Sequence, residues 1–246
     1  MQQEQGLIAI LDALGAATYT DPEIEKFLDS RGRVIELLHR SANAKEVRGD
    51  IEASQVTTFT FNDTVLIVYR TSRLPKLVDF KHFGLLLRKF CVDSLAKGIL
   101  FRGSLSAGTF YVDDESNTVM GSAVTDAAAW YDSADWIGVH ATPHATLLIQ
   151  ELVGQGQGTL EHVLVDYSVP FKSQPSLSLK AINWPKLFVV PHLAPTSGPV
   201  DPRAKCLWLL TKHRVPKGTE AKYFNSIAFF DYCVAEWRKA KKRQAG

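Results

Sequence analysis

The sequence predicts an α+β fold, one β-sheet covered by helices on one side. Three observations predict it. Residues 7 to 12, Leu-Ile-Ala-Ile-Leu-Asp, form a short unbroken apolar run that suits a buried central strand. Residues 56–61 and 65–69 alternate in hydrophobicity around Asn62-Asp63, the pattern of two strands joined by a tight hairpin. Apolar residues then fall at helical spacing in Ile24, Phe27, Leu28, Ile35 and Leu38, and again in Tyr223, Ile227, Phe230, Val234 and Trp237.

Taken in order, the first strand stops at Asp12-Ala13-Leu14-Gly15-Ala16-Ala17, small residues that permit tight backbone. Asp21 offers an N-cap and Pro22 a first helical position, so a helix is expected to about His39. After the hairpin, a second helix covers residues 76–96. Residues 99–112 read as a long strand in which Gly103 and Gly108 permit bending or close approach. A polar turn at 113–117 leads to a short strand at 118–121, an alanine-rich helix over 123–133 and a strand at 136–139. Pro143 opens a further helix to about Leu152. Beyond the glycine-rich stretch 154–158 the pattern changes. Residues 163–165 read as a strand, 168–203 are rich in Pro and Ser, and a helix from about Lys222 to Arg238 closes the chain. The organisation expected is a core over 1–160 with an extension, 161–246, packed on the same domain.

Composition bounds the function classes. The 246 residues are 46% hydrophobic and 22% charged, enough to bury a core without disulfides. A net charge of +2 gives no argument for a nucleic-acid or membrane partner, and neither is expected. The basic run 238–243 reads either as a solvated chain end or as a phosphate-attracting tail. Three widely spaced cysteines, Cys91, Cys206 and Cys233, suggest core thiols in a reducing compartment. The N-terminus lacks the basic residues of a signal peptide and no apolar run reaches transmembrane length, so a cytoplasmic protein is expected.

Two acids stand out by position. Asp12 ends the first strand and Asp63 sits on the hairpin turn. Strand-end carboxylates beside small residues suit a hard cation such as Mg²⁺ or Mn²⁺. They also suit nothing more than a loop acid and a turn residue, since Asn-Asp turns are common. The backbone N–H groups of the loop after Asp12 are candidates to cradle phosphate oxygens. Arg102 lies inside an apolar strand and wants a partner, either a phosphate or a structural Asp. Trp130, Tyr131 and Trp136, among Asp126, Asp132 and Asp135, read as a base-stacking platform or as core and dimer contacts. No histidine pair sits at metal spacing, and no Walker or dinucleotide fingerprint is present.

These residues carry a family resemblance. Asp12-Ala13-Leu14-Gly15 is similar to the metal-binding Asp-x-x-Gly of class III nucleotidyl cyclases, and Phe61-Asn62-Asp63 resembles the second metal Asp of that family's hairpin. Residues 102–108, Arg-Gly-Ser-Leu-Ser-Ala-Gly, resemble the strand that opens on a phosphate-contacting Arg. Residues 121–128 resemble the start of the helix that follows. The family's purine-reading positions fall on Phe59 and Thr118, and its transition-state Asn and Arg fall on Thr125 and Ala129. Residues 126–143 and 183–188 look like the Pycsar-type pyrimidine cyclases of bacterial anti-phage defence.

The resemblance implies a ferredoxin-like cyclase sandwich with an antiparallel-rich sheet and a C-terminal helical appendage. It implies a homodimer with active sites at the interface, and conversion of UTP or CTP to a cyclic monophosphate as an alarm signal. It implies two Mn²⁺ or Mg²⁺ ions per site on Asp12, Asp63 and the Ala13 carbonyl. Leu14, Gly15, Ala16, Ala17 and Arg102 then hold the triphosphate, Phe59 and Thr118 contact the base, and Thr125 orients the ribose from the partner. A bulky Phe59 favours a pyrimidine on steric grounds. Ala129 leaves one cation missing, with Lys205, Lys212 and Arg214 as substitutes. Against an active cyclase stand a cyclase-like domain that only binds nucleotide or dimerises, and a different two-metal phosphoryl-transfer enzyme.

Overall fold

The computed structural model describes residues 2–16, 19–43, 55–113, 115–160, 162–190, 192–212 and 215–245. They build eight strands and six α-helices: β1 (Gln2–Ala13), α1 (Asp21–Asn43), β2 (Val56–Phe61), β3 (Thr64–Thr71), α2 (Leu77–Lys97), β4 (Phe101–Asp113), β5 (Thr118–Met120), α3 (Ser122–Trp130), β6 (Gly138–Ala141), α4 (Pro143–Gly154), β7 (Leu164–Val169), β8 (Leu177–Ile182), α5 (Pro202–Leu210) and α6 (Glu220–Ala245). A 3₁₀ turn covers Trp184–Phe188. The α+β expectation holds.

The strands form one sheet in the order β2-β3-β1-β4-β6-β8-β7, with β5 paired to β4. Every pairing is antiparallel except β4 with β6. β1 is central because its residues are apolar on both faces: Leu7, Ala9, Leu11 and Ala13 enter the large core, while Ile8 and Ile10 enter a smaller one on the other face. Helices α1, α2 and α4 contribute to the large core. α3 covers the second face, where Ala123 and Ala127 meet Ile8, Ile10 and Phe110. The expectation of helices on one side alone is therefore corrected. The small alanines of α3 let it lie close against β4, and Gly121 permits the approach: its φ is +133°, and a Cβ there would sit 2.7 Å from the Phe110 Cα.

Local differences have local causes. Thr20, not Asp21, occupies the position before α1, and the Glu23 carboxylate accepts both its N–H and its hydroxyl at 2.8 Å. β8 lies inside the Pro/Ser-rich stretch that the sequence left without elements, and α5 starts at its end. α5 starts on an Asp201 cap with Pro202 in its first turn, a local signal outweighed by the surrounding composition. Residues 136 and 137 precede the strand rather than open it. Trp136 instead stacks on Tyr167, with ring centroids 5.6 Å apart and planes at 8°. All three cysteines are free and buried, and burial pushes the Cys91 thiol up to about 12. No helix among the described residues is long and apolar enough to cross a membrane.

Candidate active site

Asp12 is the penultimate residue of β1, flanked in register by Thr64 on β3 and Arg102 on β4. Alternation along the strand places it on the face that α3 covers, below Ile8 and Ile10. Asp63 lies in the two-residue turn between β2 and β3, where Asn62 takes a left-handed φ of +50°. The turn is held against the end of β1: the Ala13 N–H donates to the Asp63 carbonyl at 3.2 Å. From α1, Arg31 donates to the Asn62 carbonyl. Two strand ends and one helix thus converge on a single corner of the sheet.

Arg102 donates from Nε and Nη2 to one carboxylate oxygen of Asp12, at 3.1 and 2.9 Å. The two side chains are only 11% and 16% exposed. Of the two partners open to Arg102, the structure realises an Asp. Gly103 makes room for this close strand pair, because a Cβ there would collide with the Ile10 carbonyl. Arg102 Nη1 is buried with no partner among the described residues. Burial holds the Asp12 carboxyl above its ordinary range. The Arg102 hydrogen bond and charge pull it back, while the charges of Asp63 and Asp132 push it further up.

Sequence reasoning missed Arg31 and Lys172 here, and placed Tyr131 and Asp132 only in the aromatic cluster. Burial raises the Tyr131 phenol, and the charges of Asp132, Asp12 and Asp63 add to the rise. Lys172 is lowered by burial and by the Arg102 charge, with Asp132, 4.0 Å away, pulling it back. Arg31 is lowered by burial, with Asp63 opposing. Asp132, Tyr131 and Lys172 come from the segments after α3 and β7, which reach this corner only through the sheet topology. Asp132 and Lys172 also line a cleft of about 400 Å³ that Ala129 opens onto.

The donor set fits a divalent cation in part. The Asp63 charge disfavours that of Asp12, a repulsion that a hard cation between carboxylates relieves. Among the described residues no three His, Cys, Asp or Glu side chains converge as ligands. The rest of an oxygen shell would come from substrate phosphate and water.

The loop after Asp12 differs from its expected role. The Leu14 N–H donates to the Leu100 carbonyl at 2.8 Å, and the Ala13 N–H is already used by Asp63. Neither donor is directed to a phosphate. Gly15, exposed and at φ +86°, turns the chain, and the Ala16 carbonyl accepts from Tyr19 N–H at 3.1 Å. Ala17 lies outside the described residues. Leu14 and Gly15 instead line a cleft of about 230 Å³ with Tyr19, Phe27 and Tyr223.

Phe59 is half-buried on the α3 face, packed with Leu66 and Val119. Thr118 pairs with Asp113, one step out of phase with Val119, so its side chain points to the opposite face. Within one chain the structure does not bring Phe59 and Thr118 together. Thr125 and Ala129 are exposed one turn apart on α3. The substitutes suggested for Ala129 lie elsewhere. Lys205 is buried and donates to the Pro195 carbonyl at 2.5 Å, Lys212 stands 5.7 Å from the Trp208 ring centre, and Arg214 lies outside the described residues. The aromatic cluster is core rather than a platform: Trp136 is fully buried and Trp130 packs on Phe171. Asp126 is a tether, accepting from the Ser106 and Thr142 hydroxyls at 2.6 Å each, and so joins α3 to β4 and to the cap of α4.

The sequence matches no family model and no curated protein. Among solved structures, the fold is similar to the guanylyl cyclase Cya2 at 12% identity and a TM-score of 0.44, over 74% of this chain and 93% of that one. At that distance the likeness carries no argument about activity.

Proposed function

We propose that this chain is a nucleotidyl cyclase that converts UTP or CTP to its 3′,5′-cyclic monophosphate and pyrophosphate. One observation carries the reading: Asp12 and Asp63, far apart in sequence, come to one corner of the sheet, where burial, against Arg102 and with the Asp63 charge adding, raises the Asp12 carboxyl. Bound there, two Mn²⁺ or Mg²⁺ ions would acidify the ribose 3′-hydroxyl and neutralise the triphosphate. Asp12, Asp63 and the Ala13 carbonyl are the proposed ligands. Arg102, released from Asp12 when a cation takes its place, turns its guanidinium fork to phosphate oxygens. Lys172, in the cleft beside Ala129, supplies the cation that α3 lacks. Phe59, bulky and on the Asp12 face, favours a pyrimidine. A homodimer is the proposed assembly, because Thr125 and Ala129 face outward and Phe61 at the hairpin tip is 76% exposed. The resemblance to Pycsar-type enzymes supports an anti-phage signalling role.

The test is incubation of purified protein with each of the four ribonucleoside triphosphates and Mn²⁺, with chromatography of the products. A cyclic pyrimidine monophosphate is the expected product; no cyclic product from any of the four sinks the proposal. A second reading, a degenerate cyclase-like domain that binds nucleotide or dimerises, is favoured by the Arg102–Asp12 pair and the occupied Leu14 N–H. It predicts nucleotide binding with no turnover in the same assay.

A further inference from the structure

On another part of the molecule, α2, the 3₁₀ turn and α6 enclose a cleft of about 480 Å³ lined by Lys81, Arg88, His162, Lys186, Trp237 and Lys241. No acid lines it. The Lys186 and Lys241 ammonium groups lie 4.8 and 4.4 Å from the Trp237 ring centre, within cation–π range. The Arg88 guanidinium donates from Nη1 to the His162 carbonyl at 3.0 Å, while its Nε is buried with no partner among the described residues. The acids nearby are engaged with other bases: Asp93 with Lys89 at 2.7 Å, Asp166 with Lys180 at 2.9 Å, and Glu236 with Lys239 at 2.7 Å. Among the described residues neither Lys186 nor Lys241 pairs with a carboxylate.

Like charges gathered without a counter-charge work against folding. Lys186 records this: burial lowers its ammonium, and the charges of Arg88 and Lys241 lower it further. Both ammonium groups stand against the Trp237 indole, and both lysines line the same cleft. The Arg88 guanidinium, through its Nη2, and two ammoniums offer charged N–H donors suited to phosphate oxygens. The volume suits a small molecule.

We infer that the cleft around Trp237 binds a small polyphosphorylated anion through Arg88, Lys186 and Lys241. This site is separate from the Asp12–Asp63 corner and does not depend on the cyclase reading. The ligand offers at least two phosphoryl groups, because the cations Arg88, Lys186 and Lys241 line the cleft with no acid among its lining residues. Pyrophosphate is the simplest probe of that chemistry, and a nucleoside triphosphate the second.

The experiment titrates pyrophosphate into the full-length protein without divalent metal, followed by calorimetry and by tryptophan fluorescence, with Trp237→Phe to assign the signal. Saturable binding at one site per chain is expected, weakening as salt rises. Lys186→Gln and Lys241→Gln should each weaken it by roughly tenfold, as loss of one charge-assisted bond implies. Asp63→Ala should bind as the parent does. The inference is overturned by absence of saturable binding, by unchanged affinity in both lysine variants, or by loss in Asp63→Ala, which would place the anion at the other corner. A single-stranded oligonucleotide and anionic vesicles are run in parallel. Binding of either through Lys186 and Lys241, with none of pyrophosphate, would overturn the small-ligand assignment.

Discussion

Two regions handle charge in opposite ways. At the end of β1, the largely buried cation Arg102 is matched to the largely buried acid Asp12, and among the described residues the Asp63 carboxylate pairs with no cation. In the cleft lined by Arg88, Lys186 and Lys241 the cations stand together with no acid among the lining residues, while Asp166 and Glu236 line the adjoining cleft. In the proposed cyclase the matched pair opens when a metal cation competes for Asp12, and the inferred anion site uses the cations left without a carboxylate. On the proposed reading the difference separates the two acids: Asp12 would serve both fold and chemistry, Asp63 chemistry alone.

The largest effect that sharpens this contrast is on turnover. Asp63→Ala should lower cyclisation by about a thousandfold or more, as loss of a group stabilising transition-state charge does. Its urea midpoint should match the parent. An unchanged rate would remove Asp63 from the site. Asp12→Ala should fold less stably by about 3 kcal/mol, because it leaves Arg102 buried and unpaired. Asp12→Ala with Arg102→Met should recover part of that loss in urea denaturation. Equal stability of Asp12→Ala and Asp63→Ala would break the comparison.

A smaller effect is on pH dependence. Burial pushes His140 down to about 4 from 6.5, so the unfolded chain binds the proton more readily between those values. His140 therefore contributes stability above pH 6.5 that is lost as pH falls towards 4. Thermal midpoints of the protein should drop faster over that window than those of His140→Leu; parallel curves would contradict the assignment. The smallest effect is on base choice. Phe59→Ala should raise relative turnover of purine over pyrimidine triphosphates by several-fold, about the worth of one pocket contact. An untouched preference would defeat the steric argument.

Much of the fold was legible because β1, the hairpin and the long helices carry strong periodicity. The hidden elements were those whose cues are tertiary. β8 has only six residues and draws its order from β7, its hairpin partner. The corner itself was half legible. Asp12 and Asp63 announced themselves at strand ends, whereas Tyr131 and Asp132, just past the end of α3, and Lys172, after β7, arrive by topology. The Arg102 partner was undecidable from the chain, since a strand position names a face and not a neighbour. The Leu14 N–H was taken by Leu100, because the turn folds back on the start of β4, which no local signal encodes.

The metal pair is the step on which the cyclase account depends most directly. It is tested by titrating Mn²⁺ into the protein with a non-cyclisable UTP analogue, read by electron paramagnetic resonance, beside Asp63→Ala. The account predicts saturable binding of two ions per site in the parent and loss of at least one in the variant. Identical binding by the two proteins would contradict it.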